Sequence, residues 1–498
     1  MLLNKANLKN IIPQDGLTIP REDIFSLPET VLQFGTGVLL RGLPDYFIDK
    51  ANRAGVFNGR IVVVKSTASG NTDAFDKQQG LYSLCVKGME NGLAKEETII
   101  NSSISRVVSA MENWQAILDL AGDPRVKLII SNTTEVGITL VQDDIRMSPP
   151  ISFPGKLLAF LYERFRSLGG KEETGLVIVP TELIIDNGKK LKAILLELAE
   201  MNKLGKEFSD WLSDHNHFCN SLVDRIVPGA LSSEEQRITE EKFGYRDELM
   251  IMAETFRLWA IESAEQKVKD VLSFAGTDTG VVIAPSIEKF RELKLRLLNG
   301  THTFTCGLAF LSGFTTVKQA MDDEALIAYV KDLMLEEIGP AMLSEAISEA
   351  DIIPFTSSVI ERFRNPFLEH QWIAITMQYS SKMKMRNLPL ILAHYKKTSE
   401  VPEQMAKGFA AFLLFMRGSV KKPYPIKDDN SAYFLENWEK HGIEGISEAI
   451  LSDTAFWGSN PGELPGFKEA VKDYLLAMDT EGVRTILGRK TRHKTIVA

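Results

Sequence analysis

Three polar residues in the second half of the chain have types and spacings that suit proton transfer. Lys294, Asn299 and His302 lie in the stretch KLRLLNGTH, which is predicted to be helical. A lysine can act as a base if burial lowers its pKa from about 10.4 toward neutrality. Asn and His side chains can donate hydrogen bonds to an oxygen that is becoming negatively charged. The three residues therefore suit removal of a proton from an alcohol, and this chemistry needs no metal.

Helix geometry separates these residues from a solvated side. At about 100° per residue, one arc of about 60° would hold the apolar residues of a core face: Phe290, Leu293, Leu297, Phe304, Leu308 and Leu311. A second side, predicted to be solvated, would hold Glu292, Arg296 and Thr303. The polar trio falls at about 40°, 180° and 120° from Phe290, beside mainly apolar neighbours. Unpaired buried polar groups are costly, so we predict a shielded pocket. A plain structural helix remains the alternative.

Two further clusters contain candidate binding groups. The stretch SKMKMR places three cations within five residues, Lys382, Lys384 and Arg386, which could bind a carboxylate or form a charged helix face. The stretch His215–Cys219 contains donor types that bind metals. No second cluster at zinc-ligand spacing accompanies it, so we expect no metal site.

The elements that must position these residues change character along the chain. In the first half, four short apolar runs predict strands, at 31–34, 60–64, 126–130 and 175–180, and helices are predicted at 40–55 and 153–169. Strands alternating with helices predict an α/β, Rossmann-like, doubly wound domain. From residue 286, helical periodicity dominates, over 287–314, 324–350 and 402–418. We therefore expect a nucleotide-binding domain over 1–285 and a mostly α-helical domain over 286–498, with a ligand cleft between them.

A glycine turn follows the first predicted strand. Phe34 leads into Gly35-Thr36-Gly37-Val38-Leu39-Leu40-Arg41. Glycines permit a tight turn and close approach of a pyrophosphate, and the next helix would offer free N–H groups. The third glycine of the usual fingerprint is replaced by Leu40, so a purely structural turn is the alternative.

Two more strand ends are candidate parts of a dinucleotide site. The second strand ends at Lys65, where an acid usually selects NAD, so the choice between NAD and NADP stays open on the residues alone. The third strand leads into a polar loop that could hold the ribose and nicotinamide, with Asn132, Thr133 and Glu135 as candidates. A polar loop with a helix cap is the alternative for this stretch.

Bulk composition excludes several classes of protein. The net charge of the 498-residue chain is −9, which argues against binding nucleic acid through bulk charge. Three widely separated cysteines argue against a disulfide framework. The N-terminus does not resemble a signal peptide, and the longest apolar run, 409–416, is far shorter than the roughly 20 residues of a membrane span. We expect a soluble cytoplasmic protein.

Several of these motifs resemble one known family. KLRLLNGTH matches the K-x4-N-x2-H helix signature of the polyol-specific long-chain dehydrogenases, which include mannitol dehydrogenase. QFGTGVLLRG resembles the family's cofactor turn, and NTTEVG, LVDRIVPG and SSKM resemble other family blocks, over about residues 28 to 390. The resemblance implies hydride transfer with NAD, Lys294 as general acid/base, and Asn299 and His302 polarising the carbonyl oxygen.

Other blocks resemble the family members that act on hexuronates: VVVKSTASG, FCNSLVDRIVPG and RFRNPFLEHQ. Two departures from the polyol members fit a substrate other than a polyol. PTEL (180–183) replaces an SCDN-like block that contains an Asn, and Ala374 replaces an Arg. The resemblance implies a small sugar acid as substrate. From the composition and motifs we expect no nucleic acid, membrane or metal partner. Our hypothesis is that Lys382 and Arg386 hold the substrate carboxylate. The alternatives are an enzyme that acts on a different keto-uronate, an enzyme that acts on a polyol, and a non-catalytic NAD-binding scaffold or sensor.

Overall fold

The computed structural model describes residues 1–67, 72–133, 137–420 and 422–489. The chain forms two compact units. The first comprises residues 1–88 and 95–287, and the second comprises residues 89–94 and 288–498. The short stretch 89–94 lies at the turn between two long strands, Tyr82–Glu90 and Leu93–Asn101.

A six-stranded parallel sheet forms the centre of the first unit. Its strands, in spatial order, are Ile104–Ser109, Arg60–Lys65, Glu29–Phe34, Leu128–Ser131, Val177–Pro180 and His217–Phe218. The four strands predicted from apolar runs are its four central members. Their residues alternate between two cores: Val31 and Val63 pack on one face, and Leu32 and Val62 on the other. Burial on both faces explains why these strands are apolar throughout.

Two smaller sheets, nine α-helices and five short 3₁₀-helices complete the described part of this unit. One sheet has the order Leu17–Thr18, Leu93–Asn101, Tyr82–Glu90 and Ile251–Ala253, and the other has Ser221–Asp224, Leu258–Glu262 and Val281–Ala284. The helices are Val38–Gly42, Pro44–Arg53, Asp73–Gln78, Trp114–Asp119, Phe153–Leu168, Asn187–Met201, Lys206–Asp214, Ser233–Phe243 and Gln266–Val271. The Rossmann-like α/β prediction for the first half is confirmed.

The helix predicted at 40–55 is two helices in the structure. A five-residue helix, Val38–Gly42, ends at Leu43, whose φ of −134° and ψ of −76° are not helical. The second helix starts at Pro44, which is favoured at a first helical position but cannot continue an earlier helix. The glycine turn is therefore followed by only five residues of helix before the chain changes direction.

Helices make up the second unit. Its α-helices are Glu288–Glu292, Thr301–Leu311, Val317–Ala320, Glu324–Asp332, Gly339–Met342, Glu349–Phe363, Trp372–Ile375, Tyr379–Lys382, Leu388–Tyr395, Glu403–Phe415, Ser431–Leu451, Thr454–Trp457, Phe467–Glu481 and Val483–Leu487. Three further segments have π-helical hydrogen bonding: Leu293–Gly300, Leu333–Ile338 and Met383–Asn387. Within the described residues, the last strand of the chain ends at Ala284. The prediction of a mostly α-helical second half is confirmed.

Two details of that prediction were wrong. The helix predicted over 324–350 ends at Met342, and a new helix starts after Ser348, whose N–H and hydroxyl both donate to the carboxylate of Asp351. The assumption of 100° per residue also fails over Leu293–Gly300, because that segment is π-helical. Across the described ranges, none of the helices combines the length and the apolar character needed to cross a membrane.

Candidate active site

The glycine turn of the first unit has the backbone shape that only glycine adopts readily. Gly35 has a φ of +127°. A Cβ atom on it would lie 3.0 Å from the Asn132 carbonyl oxygen and 3.1 Å from Cδ1 of Leu40. Leu40, which stands where the usual fingerprint has a third glycine, is fully buried beneath the turn. The turn is therefore packed from both sides by the protein itself.

Gly37 differs from Gly35 in its surroundings. It precedes the helix Val38–Gly42, has an ordinary φ of −62°, and a Cβ on it would meet no atom within 4 Å. Thr36 is half-buried, as are Val38 and Leu39, while Gly37 is exposed. The open space above Gly37 leaves room for a ligand to approach the backbone closely.

Two predicted cofactor residues place their side chains inside the first unit. The ring of Phe34 packs edge-on against Phe153, with centroids 5.2 Å apart. Arg41 donates from Nη1 to the carbonyl of Leu249 at 2.7 Å, and its guanidinium lies over the Tyr82 ring at 5.3 Å. Burial lowers the pKa of Arg41. Both side chains fix the turn from below, and the backbone remains the part that faces outward.

The polar loop that follows the strand Leu128–Ser131 is held by a carboxylate that our sequence analysis did not identify as a site residue. Glu182 accepts hydrogen bonds from the backbone N–H of Thr133 at 2.8 Å and from the Ser131 hydroxyl at 3.1 Å. Asn132 donates from its side chain to the Thr181 carbonyl. The predicted residue Glu135 lies outside the described residues.

Lys65, at the end of the second strand, is buried, and its ammonium donates to the Thr67 carbonyl at 2.6 Å. The cation that raised the question of an NADP phosphate is thus bonded to its own loop. Its predicted role in cofactor binding remains a prediction.

The π-helix of the second unit changes the relationship between the three candidate catalytic residues. Lys294 and Asn299 are five residues apart, which is the spacing of the i→i+5 hydrogen bond that defines a π-helix. An α-helix would separate them by about 140° around its axis. His302 follows three residues later in regular α-helix, a spacing that shares a face with Asn299. Because its first part is π-helical, the K-x4-N-x2-H spacing places Lys294, Asn299 and His302 closer to one side of the helix than a regular α-helix would.

Thr303 corrects the predicted solvated side of this helix. It is fully buried, and its hydroxyl donates to the Asn299 carbonyl at 2.7 Å. The same hydroxyl lies 3.5 Å from Nη1 of Arg386, so this side faces the second candidate cluster instead of solvent. Arg296 contacts the same cluster, because its Nη1 donates to the Arg386 carbonyl at 2.8 Å.

Two π-helical segments pack against each other at this point. The side chain of Asn387 donates to the carbonyl of Gly300 at 3.2 Å. A Cβ on Gly300 would lie 3.2 Å from Cδ1 of Leu390, so the absence of a side chain permits the close approach. The π-helix is a rare conformation that occurs frequently at functional sites. The first segment contains Lys294 and Asn299 and is followed directly by the helix that contains His302. The second contains Arg386, and Lys382 immediately precedes it.

His302 has an unusual environment. Its ring stacks on Phe363 with centroids 4.1 Å apart, and His370 and Trp372 meet it edge-on. Burial lowers the pKa of His302 well below its usual range, and the nearby His370, Arg362, Arg386 and Lys382 lower it further. Its Nε2 is buried without a hydrogen-bond partner among the described residues. A neutral imidazole with an unsatisfied nitrogen is suited to hydrogen-bonding a substrate oxygen.

The cations around His302 form a positively charged group. Lys382 donates to the Ile375 carbonyl at 2.9 Å, and burial, then Arg386, lowers its pKa. Burial also lowers the pKa of Arg386. Within the described ranges, neither side chain forms an ion pair with a carboxylate. A bound anion would relieve this accumulation of positive charge.

Arg362 and His370 were missed by the sequence-based reasoning. Both belong to the block RFRNPFLEHQ, which was used only for its family resemblance. The combination of Arg, Phe and His in this block was the signal that could have found them. The block contacts the catalytic helix only after the chain has folded, so the sequence does not show the contact. Together the site offers a lysine, an amide, a neutral imidazole and several cations, a set suited to proton transfer on an anionic alcohol or ketone.

Comparison with known proteins agrees with the geometry. The family model for the mannitol dehydrogenase Rossmann domain matches residues 29–272, and that for the mannitol dehydrogenase C-terminal domain matches residues 286–479. Altronate oxidoreductase of Bacillus subtilis is 35% identical over 465 residues, covering 92% of this chain and 95% of that protein. Altronate oxidoreductase of Halalkalibacterium halodurans is 36% identical over 453 residues, covering 87% of each.

Solved structures share the fold. Pseudomonas fluorescens mannitol 2-dehydrogenase, in a ternary complex with NAD and D-mannitol, has a TM-score of 0.68 at 22% identity and covers 98% of this chain and 99% of that one. A substrate-free D-sorbitol dehydrogenase has a TM-score of 0.77 at 20% identity, covering 98% and 100%. The predictions of an oxidoreductase and of its family are confirmed, and the chain belongs to the mannitol dehydrogenase family.

Proposed function

We propose that the protein is an NAD-dependent oxidoreductase that interconverts D-tagaturonate and D-altronate. The observation that carries the proposal is the cation group around His302, a residue of the helix that directly follows the π-helical segment of Lys294 and Asn299. A polyol has no charge for these cations to bind, whereas a hexuronate has a carboxylate. The relatives named altronate oxidoreductase, 34–36% identical over most of the chain, support the same substrate class.

The residues at the strand ends of the first unit fit a dinucleotide. Gly35 supplies the tight turn, and the open space at Gly37 lets a diphosphate approach the backbone. Asn132 and Thr133 would contribute polar groups at the next strand end. When bound, NAD(H) accepts or supplies the hydride, and the chain's own residues handle the proton and the charge.

In the direction of reduction, Lys294 would donate a proton to the substrate oxygen, and in oxidation it would remove that proton. Asn299 would donate a hydrogen bond from its amide to the same oxygen. The neutral imidazole of His302 would present its Nε2, which has no hydrogen-bond partner among the described residues. In the tautomer with the proton on Nε2, this atom would donate a hydrogen bond that stabilises negative charge on the oxygen as it develops. Stacking on Phe363 fixes the plane of the imidazole, so its orientation costs little at each turnover.

The substrate carboxylate would be held by Lys382 and Arg386, with His370 as a further contact. A guanidinium can bind a carboxylate through two parallel hydrogen bonds, which fixes the orientation of the substrate as well as its affinity. Burial makes these bonds stronger than they would be at the surface. The carboxylate thereby determines which carbon of the sugar lies beside Lys294.

A substrate panel tests the proposal. Oxidation of NADH is followed by absorbance with tagaturonate, fructuronate and fructose, and NADPH replaces NADH in a parallel series. We expect the highest kcat/KM with tagaturonate and NADH. Faster turnover of fructuronate or of fructose would replace the assigned substrate, and no turnover of any ketone together with intact NADH binding would favour a non-catalytic sensor.

A further inference from the structure

Glu182 is a buried carboxylate at the carboxyl-terminal edge of the parallel sheet. It lies two residues after the strand Val177–Pro180 and is 2% exposed. Ligands of doubly wound sheets bind outside this edge of the sheet. Glu182 takes no part in the chemistry described above, so its burial at this edge requires another explanation.

The hydrogen bonds that the Glu182 carboxylate accepts from other residues come from one short segment. One carboxylate oxygen accepts from the backbone N–H and the hydroxyl of Thr133, at 2.8 and 3.1 Å. The other accepts from the hydroxyl of Ser131, at 3.1 Å. The carboxylate thus joins the end of one strand to the loop that follows the neighbouring strand.

That segment contacts the glycine turn directly. The N–H of Asn132 donates to the carbonyl of Phe34 at 3.1 Å, and the Asn132 carbonyl would lie 3.0 Å from a Cβ on Gly35. Because Gly35 has a positive φ and no spare room, a shift of residues 131–133 must also shift the turn. Glu182 therefore acts on the glycine turn through Ser131 and Thr133, which lie on either side of Asn132.

Holding a carboxylate in this place is costly. Burial raises the pKa of Glu182, and the hydrogen bonds from Thr133 and Ser131 lower it in part. In the described portion of the chain, no cation forms an ion pair with it. A buried acid with only neutral donors is a poor source of stability. Its contribution is more easily explained by the shape that it imposes on residues 131–133.

We propose that Glu182 is a positioning residue that holds residues 131–133 and the Gly35 turn in the shape that binds the dinucleotide. The proposal rests on the proposed NAD-dependent function, since it assigns Glu182 to the cofactor and leaves the sugar site unaffected. Replacing Glu182 is therefore expected to lower the affinity for NADH.

The test compares Glu182→Ala with Glu182→Gln by NADH titration, steady-state kinetics and thermal unfolding. Gln can still accept from Thr133 with its carbonyl oxygen and donate to the Ser131 hydroxyl, so it should restore most of the affinity. We expect Ala to raise the Kd for NADH about tenfold, as for the loss of one or two hydrogen bonds. The KM for the sugar acid should change less than about twofold.

Ser131→Ala provides a second variant that removes one of these bonds without removing the carboxylate. It should raise the Kd for NADH in the wild-type background and have less effect in the Glu182→Ala background, because the two groups act through one contact. An unchanged Kd in Glu182→Ala, or a Gln variant no better than Ala, would overturn the proposal. NADH binding by the wild type without any ketone turnover would instead contradict the proposed reaction and leave the positioning of the cofactor measurable.

Discussion

The strand-end edge of the first unit and the π-helical pair of the second unit present functional groups in opposite ways. At the glycine turn, Phe34 and Arg41 direct their side chains into the interior, and the exposed groups are mainly backbone. Around His302, the groups are side chains held by close packing, and among the described residues Nε2 of His302 has no hydrogen-bond partner. A backbone site can recognise a ligand common to many enzymes, while a side-chain site can be changed to fit one substrate. We therefore expect substitutions in the first unit to affect cofactor affinity and those in the second to affect turnover and specificity.

The largest expected effect is at Lys294. Lys294→Ala removes the proposed acid/base group and should lower kcat about 10²- to 10⁴-fold. The Kd for NADH should stay within about twofold, because the cofactor groups belong to the other unit. Lys331→Ala, at an exposed lysine of the helix Glu324–Asp332, is the matched control and should keep wild-type kcat. Retention of more than a tenth of the wild-type kcat in Lys294→Ala would remove lysine from the mechanism.

The second effect concerns substrate choice. Arg386→Ala should raise the KM for a keto-uronate about 10- to 100-fold, as expected for the loss of hydrogen bonds between a cation and a carboxylate. The kcat/KM for fructose should change far less, since fructose has no carboxylate. Lys384→Ala, two residues earlier and exposed, is the control and should leave both values unchanged. An equal loss with both sugars would mean that Arg386 supports the fold and does not read the carboxylate.

A pair of glycines tests the backbone character of the first site. Gly35→Ala places a side chain at a φ of +127° and 3.0 Å from a carbonyl oxygen, so the strain of about 1–3 kcal/mol should lower the melting temperature. It should also raise the Kd for NADH about tenfold. Gly37→Ala meets no atom within 4 Å, so the melting temperature should not change while the Kd for NADH still rises. If Gly37→Ala bound NADH normally, the ligand would not approach this part of the turn.

The sequence predicted the parallel sheet, the helical second half and the candidate trio because these depend on local periodicity and residue type. It could not show that Leu293–Gly300 is π-helical, since the apolar spacing there also fits an α-helix. The contact of Thr303 with Arg386 joins residues 83 positions apart, and that of Glu182 with Ser131 joins residues 51 apart. Such pairs are determined by tertiary packing. The break before Ser348 had a readable signal, the Ser-x-x-Asp start of a new helix, which was missed.

The smallest expected effect concerns pH and tests the state of His302. Because burial and neighbouring cations lower its pKa, the neutral form persists to pH values below the ordinary midpoint of about 6.5. The wild-type kcat should therefore show no inflection from His302 between about pH 6 and 7.5. His302→Asn should lower kcat about tenfold without changing the shape of that profile, since Asn is also neutral.

His370 faces the same ring, and burial together with Lys382 lowers its pKa as well, so the profile must be measured again in a His370→Asn background. An inflection near pH 6.5 that persists without His370 and disappears in His302→Asn would show that His302 changes charge during turnover. In that case the imidazole would share the proton-transfer role assigned to Lys294. A flat profile in both backgrounds would instead show that His302 stays neutral throughout turnover. Lys294 would then be the group of the side-chain site that changes charge, whereas the backbone site of the first unit has none.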